Sequence, residues 1–170
     1  MTAAPALGTE SFTEVHDRHF AAIYRYVAGR LGAQAAEDVA AETFLVAFDR
    51  RKTFDATRGD PRAWLFGIAT NLVSRHRRKE ARHYRALSRL ETPRPAEGHE
   101  NRVVMAGHVG KALSRLSAGE RDVLLLVALA DLGYSEVGEA LGISPGTVGS
   151  RLTRARKKLA PVLAQEASDE

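Results

Sequence analysis

Residues 134–158 read YSEVGEALGISPGTVGSRLTRARKK, and this stretch decides the fold of the C-terminal part of the chain. Its first half predicts a short helix that ends at Gly142, because glycine turns the backbone sharply without a steric penalty. Ser144 can cap a second helix, and Pro145 suits the first helical position, where a missing N–H costs nothing. Two helices joined by such a turn have the layout of a helix-turn-helix.

The second helix of this unit has an apolar face and a basic, polar face. By helical spacing, the apolar residues that must pack inward are Val148, Leu152, Ala155 and Leu159. The remaining surface carries hydroxyl groups and cations, which contact base edges and phosphates in a major groove. These groups belong to Thr147, Ser150, Arg151, Thr153, Arg154 and Lys157. Residues 140–165 include no acid, whereas a merely solvated face mixes both signs, so DNA binding is favoured over a plain helical hairpin.

The composition of the chain limits the classes to which it can belong. It has 170 residues, 44% of them hydrophobic, and a formal net charge of +4. The absence of cysteine excludes disulfides, thiolate catalysis and cysteine-based zinc sites. No apolar stretch reaches the roughly 20 residues that a membrane-spanning helix needs, and the first residues lack the pattern of a signal peptide. We therefore expect a cytoplasmic protein without membrane insertion.

Apolar residues in the rest of the chain recur at three and four positions rather than at two, which predicts helices throughout. Helices are expected over residues 12–31, 35–51, 103–116 and 120–132. Residues 53–61, TFDATRGDP, are rich in turn formers and interrupt the pattern. Asp60 then caps and Pro61 opens a further helix, which becomes strongly basic over residues 74–85.

These helices fall into two groups separated by a polar segment. Residues 90–101, LETPRPAEGHEN, are rich in proline and cannot bury a face, which is typical of a linker. The predicted fold is all-α, with two small helical domains over residues 10–88 and 102–162 and a flexible linker over 89–101. The C-terminal domain contains the helix-turn-helix.

Two blocks of the sequence resemble one family. Residues 36–48, AEDVAAETFLVAF, followed by residues 62–82, RAWLFGIATNLVSRHRRKEAR, resemble the second region of bacterial sigma factors. Residues 133–159, GYSEVGEALGISPGTVGSRLTRARKKL, are similar to the fourth region of the same proteins. Because only these two domains and a short linker are present, the resemblance is to the extracytoplasmic-function subfamily.

This resemblance implies a promoter-specificity subunit that binds core RNA polymerase and promoter DNA and directs transcription initiation. The N-terminal domain would read the minus-ten element and the helix-turn-helix the minus-thirty-five element. An anti-sigma factor is an expected partner, and no cofactor is expected.

The resemblance also implies a polymerase-docking helix. In the family, the helix that carries Asp38, Glu42 and Phe44 here docks on the clamp helices of the largest polymerase subunit. Without the family, Asp38 and Glu42 would be taken as an exposed acidic helix edge. Ala41 stands where a glutamine is usual, so the affinity for polymerase is expected to differ.

By the same resemblance, the loop over residues 54–61 and the helix after it melt the minus-ten element and capture a flipped base. Such a site needs a pocket and a cationic track for the backbone. The pocket candidates are Phe54, Asp55, Arg58 and Asn71, and the track candidates are Arg75, Arg77, Arg78, Lys79 and Arg82. Trp64 has helical spacing with Leu65 and Ile68, which favours a core tryptophan over a stacking platform. The alternative for Asn71 is that it is simply a polar residue on the surface of that helix.

The helix-turn-helix departs from the family at two glycines. The base-facing candidates are Ser150, Thr153 and Arg154, whereas Arg151 and Lys157 suit phosphates. Gly149 stands where lysine or arginine is common and lowers helix propensity by up to about 1 kcal/mol relative to alanine. Gly138 stands where alanine is usual. We expect a weaker or altered upstream contact.

Two other functions compete with this one. An enzyme with a metal site could use His16, Asp17 and His19, but no fourth ligand is placed for them and no catalytic motif is present. The other alternative is an autonomous helix-turn-helix regulator that binds duplex DNA without core polymerase. Such a regulator would carry an α/β receiver or ligand domain, whereas this chain has an arginine-rich helical half.

Overall fold

The structure is a computed structural model that describes residues 6–7, 10–58, 60–89, 108–166 and 168. The described residues form two short strands, seven α-helices and two single 3-10 turns over Arg51–Thr53 and Ala56–Arg58. The strands are β1 (Ala6–Leu7) and β2 (Glu10–Ser11). The helices are α1 (Phe12–Leu31), α2 (Ala33–Asp49), α3 (Arg62–Ser88), α4 (His108–Ser114), α5 (Ala118–Ala128), α6 (Tyr134–Leu141) and α7 (Pro145–Glu166). The helical class predicted from the sequence is confirmed.

Helices α1, α2 and α3 pack together in the N-terminal half. Ser11 caps α1 in a capping box with Glu14, and Gly32, at φ 88°, separates α1 from α2. The inward faces of the three helices form the core of this half, with fully buried side chains at Val15, Ile23, Tyr26, Val27, Ala40, Leu65 and Phe66. The small antiparallel pair of β1 with β2 was not foreseen, and Leu7 from it is only 3% exposed.

The C-terminal half confirms most of the predicted helix-turn-helix. Gly142 lies at φ 66° and its N–H donates to the Gly138 carbonyl, while the Ser144 hydroxyl accepts from the Thr147 N–H at 3.2 Å. The inward face of α7 is as expected, since Val148, Leu152 and Ala155 are all 0% exposed.

Helix α5 differs from its prediction, because it ends at Ala128 rather than at residue 132. The Leu132 N–H donates back to the Leu126 carbonyl at 3.2 Å, and Asp131 takes the left-handed conformation at φ 54°. Glycine usually takes this conformation at the end of a helix, so an aspartate at this position did not indicate a helix end.

The two halves pack on each other through α3 and α6. A methyl group on Gly67 of α3 would lie 2.5 Å from the Ala140 carbonyl oxygen of α6, so the two backbones are in close contact. Arg62 and Glu136 form an ion pair across this contact at 3.1 Å. Residues 90–101 of the predicted linker lie outside the described residues, and the division into two domains stays a prediction. In the described ranges, no helix is long and apolar enough to cross a membrane.

Candidate nucleic-acid interface

The outer face of α7 is an exposed row of hydroxyls and cations. Ser150, Thr153, Arg154 and Lys157 are exposed, and Thr147 is partly buried. The side-chain oxygens of Ser150 and Thr153 donate to carbonyls of the helix, at Thr147 and Gly149 respectively. Arg154 Nε donates to the Ser150 carbonyl at 3.3 Å. These bonds hold the predicted base-facing side chains close to the helix, and their assignment to base contacts stays a prediction.

One flank of α7 is engaged with α5 instead. Lys158 Nζ donates to Glu120 Oε2 at 2.8 Å. Arg151 is partly buried, and a methyl group on Gly119 would lie 2.9 Å from its Nη1 atom. The hydrogen bond from Lys158, followed by the one from the Ser117 N–H, holds the pKa of Glu120 below its usual value. These contacts fix the rotation of α7 and thereby determine which side chains face outward.

A groove of about 420 Å³ lies between α2 and α3 and contains most of the predicted cationic track. Its lining residues are Val39, Glu42, Leu72, Arg75, His76, Arg78, Lys79 and Arg82. The cations in it are three or four positions apart on α3, so they share one face of the helix. The groove also brings Glu42, a predicted polymerase contact, next to the predicted cationic track.

Arg77 does not belong to this track, and its prediction needs correction. Its Nη2 atom donates to the Arg30 carbonyl at 2.9 Å, on the side of α3 that faces α1. Burial, with the nearby charges of Arg30 and Arg121, lowers the pKa of Arg77 to about 10, so it stays charged at neutral pH. Two residues along a helix turn a side chain through about 200°, which places Arg77 opposite Arg75.

The residues predicted for the base pocket lie in different surroundings. Phe54 packs on Trp64 with ring centroids 5.2 Å apart, and both rings are partly buried, so Trp64 lies at the edge of the core. Asp55 accepts from the N–H and hydroxyl of Thr57, at 3.0 and 2.6 Å, and so closes a turn. Asn71 is exposed. Arg58 ends a 3-10 turn, and its side chain lies outside the described part of the chain.

The predicted polymerase-docking residues divide between surface and core. Asp38 and Glu42 are exposed, as expected. Phe44 is only 4% exposed, because its ring packs on those of Phe12, His16 and Phe20 inside the N-terminal half. Phe44 therefore cannot supply surface contact, which corrects its assignment.

Sequence reasoning missed the exposed Leu45 on α2, and helical spacing wrongly placed Phe48 on the buried stripe of that helix. Leu45 is 66% exposed and Phe48 is 36% exposed. Leu45 follows Glu42 by three positions and so lies on the same helix face, a spacing that could have identified it. The guanidinium of Arg51 lies 4.0 Å from the centroid of the Phe48 ring.

The two histidines named as possible metal ligands have different surroundings. His16 Nδ1 lies 3.3 Å from Asp17 Oδ1 at the surface, whereas the ring of His19 is buried and its Nε2 atom lies 3.3 Å from Asp60 Oδ1. Among the described residues, no group of three histidine or carboxylate side chains is placed to hold a metal ion.

Comparison with known proteins gives a family match for both halves. The sigma-70 region 2 model matches residues 15–83, and the sigma-70 region 4 model matches residues 108–159. The ECF RNA polymerase sigma factor SigC of Mycobacterium tuberculosis is 32% identical over 143 residues, which span 81% of this chain and 75% of that protein. SigL of the same species is 33% identical over 150 residues, spanning 85% of this chain and 84% of SigL.

Solved structures agree with these matches. CnrH, in its complex with the cytosolic domain of CnrY, superposes with a TM-score of 0.63 at 29% identity, covering 91% of this chain and 88% of CnrH. The sigma factor RpoE of Bartonella quintana superposes with a TM-score of 0.67 at 24% identity, covering 90% of this chain and 96% of RpoE, and shows the shared fold.

Proposed function

Because this chain belongs to the extracytoplasmic-function family of RNA polymerase sigma factors, we propose a division of promoter recognition among three of its surfaces. As a sigma factor it binds core RNA polymerase and promoter DNA and directs transcription initiation. In our proposal α2 docks on polymerase, α3 takes the minus-ten element and α7 reads the minus-thirty-five element. The observation that carries the proposal is the exposed outer face of α7, where residues 145–165 include no acid, in the same chain as the cationic groove on α3.

The polymerase-docking surface is a stripe along α2 made of Asp38, Glu42, Leu45 and Asp49, all exposed. Their spacing of three and four positions places them in one row. Carboxylates at such a surface steer association, and a desolvated apolar residue supplies affinity. Leu45 is the apolar centre of the row, with Phe48 beside it.

The minus-ten surface combines the groove on α3 with the loop before it. A single strand is held by cations along its backbone and by an aromatic or amide contact to the displaced base. Arg75, Arg78, Lys79 and Arg82 supply the cations from one helix face. Asn71, exposed one turn before Arg75, is the amide that this strand would meet first.

The minus-thirty-five surface is α7, with Ser150, Thr153 and Arg154 toward the bases and Lys157 toward a phosphate. Each DNA contact is modest by itself, so the combined affinity depends on linking both contacts to the polymerase dock. We expect the isolated chain to bind duplex promoter DNA poorly.

We also propose that the chain works in the cytoplasm under the control of an anti-sigma factor. CnrH, a structural relative that shares 29% of its sequence with this chain, is held in a complex with the cytosolic domain of CnrY.

Run-off transcription with core polymerase and a library of genomic promoters tests the proposal. Start sites that need both proteins are the expected result. Arg154→Ala should weaken initiation at promoters that depend on the upstream element, whereas Arg115→Ala, an exposed arginine outside α7, should not. Specific duplex binding by the chain alone without core-dependent initiation would instead indicate an autonomous regulator.

A further inference from the structure

A buried histidine of α1 contacts the end of the loop that precedes α3. We propose that His19 is a positioning residue for minus-ten recognition, which acts through Asp60 to hold this loop in the conformation that receives the displaced base. This inference rests on the proposed role of the loop in taking the minus-ten element. It assigns no contact with DNA to His19 itself.

The first observation is the place of His19 on the inward face of α1. Val15 precedes it and Ile23 follows it by one helical turn. Both of these residues are 0% exposed, and His19 is 5% exposed. Burying the polar nitrogens of an imidazole costs free energy unless they have polar partners, whereas a leucine would fill the same stripe without that cost. Packing alone therefore does not explain a histidine at this position.

The second observation is a carboxylate oxygen that connects α1 to the start of α3. The Nε2 atom of His19 lies 3.3 Å from Asp60 Oδ1. The same oxygen accepts from the Arg62 N–H at 2.9 Å. This N–H belongs to the first turn of α3, where no carbonyl of the helix can accept it. The exposed Asp60 is thus attached to a buried ring on one side and to the helix on the other.

The other end of the loop is attached to α3 as well. The ring of Phe54 packs on that of Trp64, with centroids 5.2 Å apart. A loop held at both ends loses less conformational entropy when it receives a base, so its affinity for the strand is higher. Loss of the His19 contact would remove the connection between Asp60 and α1 and so return part of that cost.

The position of this contact predicts an effect confined to one part of the promoter. The loop is proposed to receive the displaced base, whereas the upstream element is read by α7. Affinity for a strand with the matched base should therefore fall when the loop is released. Affinity for a strand in which that base is replaced should stay the same, so the selectivity between the two strands should fall.

His19→Leu tests the inference, because it keeps an apolar side chain in the stripe and removes both ring nitrogens. Holoenzyme carrying this variant should bind the minus-ten non-template strand, of the sequence that run-off transcription identifies, about two- to tenfold more weakly, the range of one hydrogen bond. Selectivity for the captured base should fall by the same factor. His19→Gln should recover most of the loss, since a glutamine can place an amide N–H near the position of Nε2.

Asp60→Ser separates this role from a general effect on the core. A serine there can still accept from the Arg62 N–H, but it is too short to reach the ring of His19. Its loss of strand affinity should equal that of His19→Leu, and the double variant should be no weaker than either single variant, because all three lack the same contact. Asp17→Ser is the matched control and should bind like the wild type, since it removes a histidine–carboxylate contact of 3.3 Å, to His16, that lies within α1.

Three results would overturn the inference: unchanged strand binding by His19→Leu holoenzyme, losses that add in the double variant, or an equal loss on the strand with the replaced base. Failure of the proposed function is seen separately, because wild-type holoenzyme would then not distinguish the two strands. Thermal melts show whether each variant is folded at the assay temperature. If His19→Leu is not, Asp60→Ser at its exposed position decides between the same outcomes.

Discussion

The two proposed DNA-binding helices differ in how much of their surface the rest of the chain uses. Helix α7 buries one face in its own half and exposes the opposite face as a row of polar groups. Helix α3 is covered on a further side, where Ala63, Phe66 and Thr70 are at most 3% exposed and Gly67 meets α6. Contacts within its own half are enough to leave the proposed DNA-binding face of α7 exposed. Helix α3, by contrast, also packs against the C-terminal half.

The contacts between the halves are ionic as well as steric. Arg30 Nη1 of α1 lies 2.7 Å from Asp122 Oδ1 of α5, and the guanidinium also donates to the Tyr26 hydroxyl. Arg62 adds a hydrogen bond from Nη2 to the Ala130 carbonyl at 2.6 Å. These contacts make the arrangement specific, since all of them would be lost if the halves moved apart and the buried Arg30 would then lack its carboxylate partner.

Asp122→Ala should have the largest effect on this packing. It leaves the charge of Arg30, which is only 2% exposed, without its carboxylate partner, at a cost of about 3 kcal/mol. Urea unfolding of the isolated chain should show the loss. Asp38→Ala, at an exposed carboxylate, should leave the free energy of unfolding within about 0.5 kcal/mol of the wild-type value. Equal stability of both variants would show that the Arg30–Asp122 pair does not hold the halves together.

Gly67→Ala should separate the halves by a steric route. Its new methyl group would lie 2.5 Å from the Ala140 carbonyl oxygen, so the backbones must move apart, at a cost of about 1–3 kcal/mol. Small-angle scattering should report a larger radius of gyration. Gly146→Ala is the control, because the nearest atom to its methyl group is Ser144 Oγ at 3.9 Å. A variant as compact as the wild type would mean that α3 and α6 can adjust locally.

Alanine variants of Arg77 and Arg78 test the two sides of α3, because each variant removes one positive charge from a different side. Arg78→Ala should weaken holoenzyme binding to the minus-ten non-template strand and reduce the salt slope by about 1. Arg77→Ala should keep that slope, because the side chain points to Arg30, and should lower the stability of the chain instead. Salt titration of strand binding, paired with thermal melts, separates the two effects. A reversed pattern would place Arg77 in the track and overturn the correction made from the structure.

Local features of this fold could be predicted from the sequence, because local residues determine them. Helix α1 has its predicted bounds, with a serine cap before it and a glycine after it. The buried face of α7 follows from helical spacing alone. The end of α5 was missed because Asp131 takes a conformation that glycine usually supplies.

The errors in the candidate sites have two different origins. Arg77 and Phe44 are given their site roles because they stand next to other motif residues in the sequence. Helical spacing, however, places each on a different face from those residues. The packing of α3 on α6 has another cause, since it joins residues far apart in the chain and depends on Gly67 having no side chain. No local pattern in the sequence indicates such a contact.

The smallest predicted effect concerns the attachment of α7 to its own half. Glu120 Oε2 accepts from Lys158 Nζ at 2.8 Å and from the Ser117 N–H at 3.0 Å, and these bonds lower the pKa of Glu120. Because the folded pKa lies below the ordinary value of 4.5, this stabilisation is present above that value and is lost as pH falls through the folded pKa. Glu120→Gln should therefore be less stable than the wild type at neutral pH and lose less stability on acidification. Thermal melts from about pH 7 to about pH 3 measure this difference, with Glu139→Gln as an exposed control. If the two variants have the same pH profile, the orientation of α7 depends on its apolar face alone. The contrast between the two helices then becomes sharper, because only α3 would need ionic contacts to hold its position.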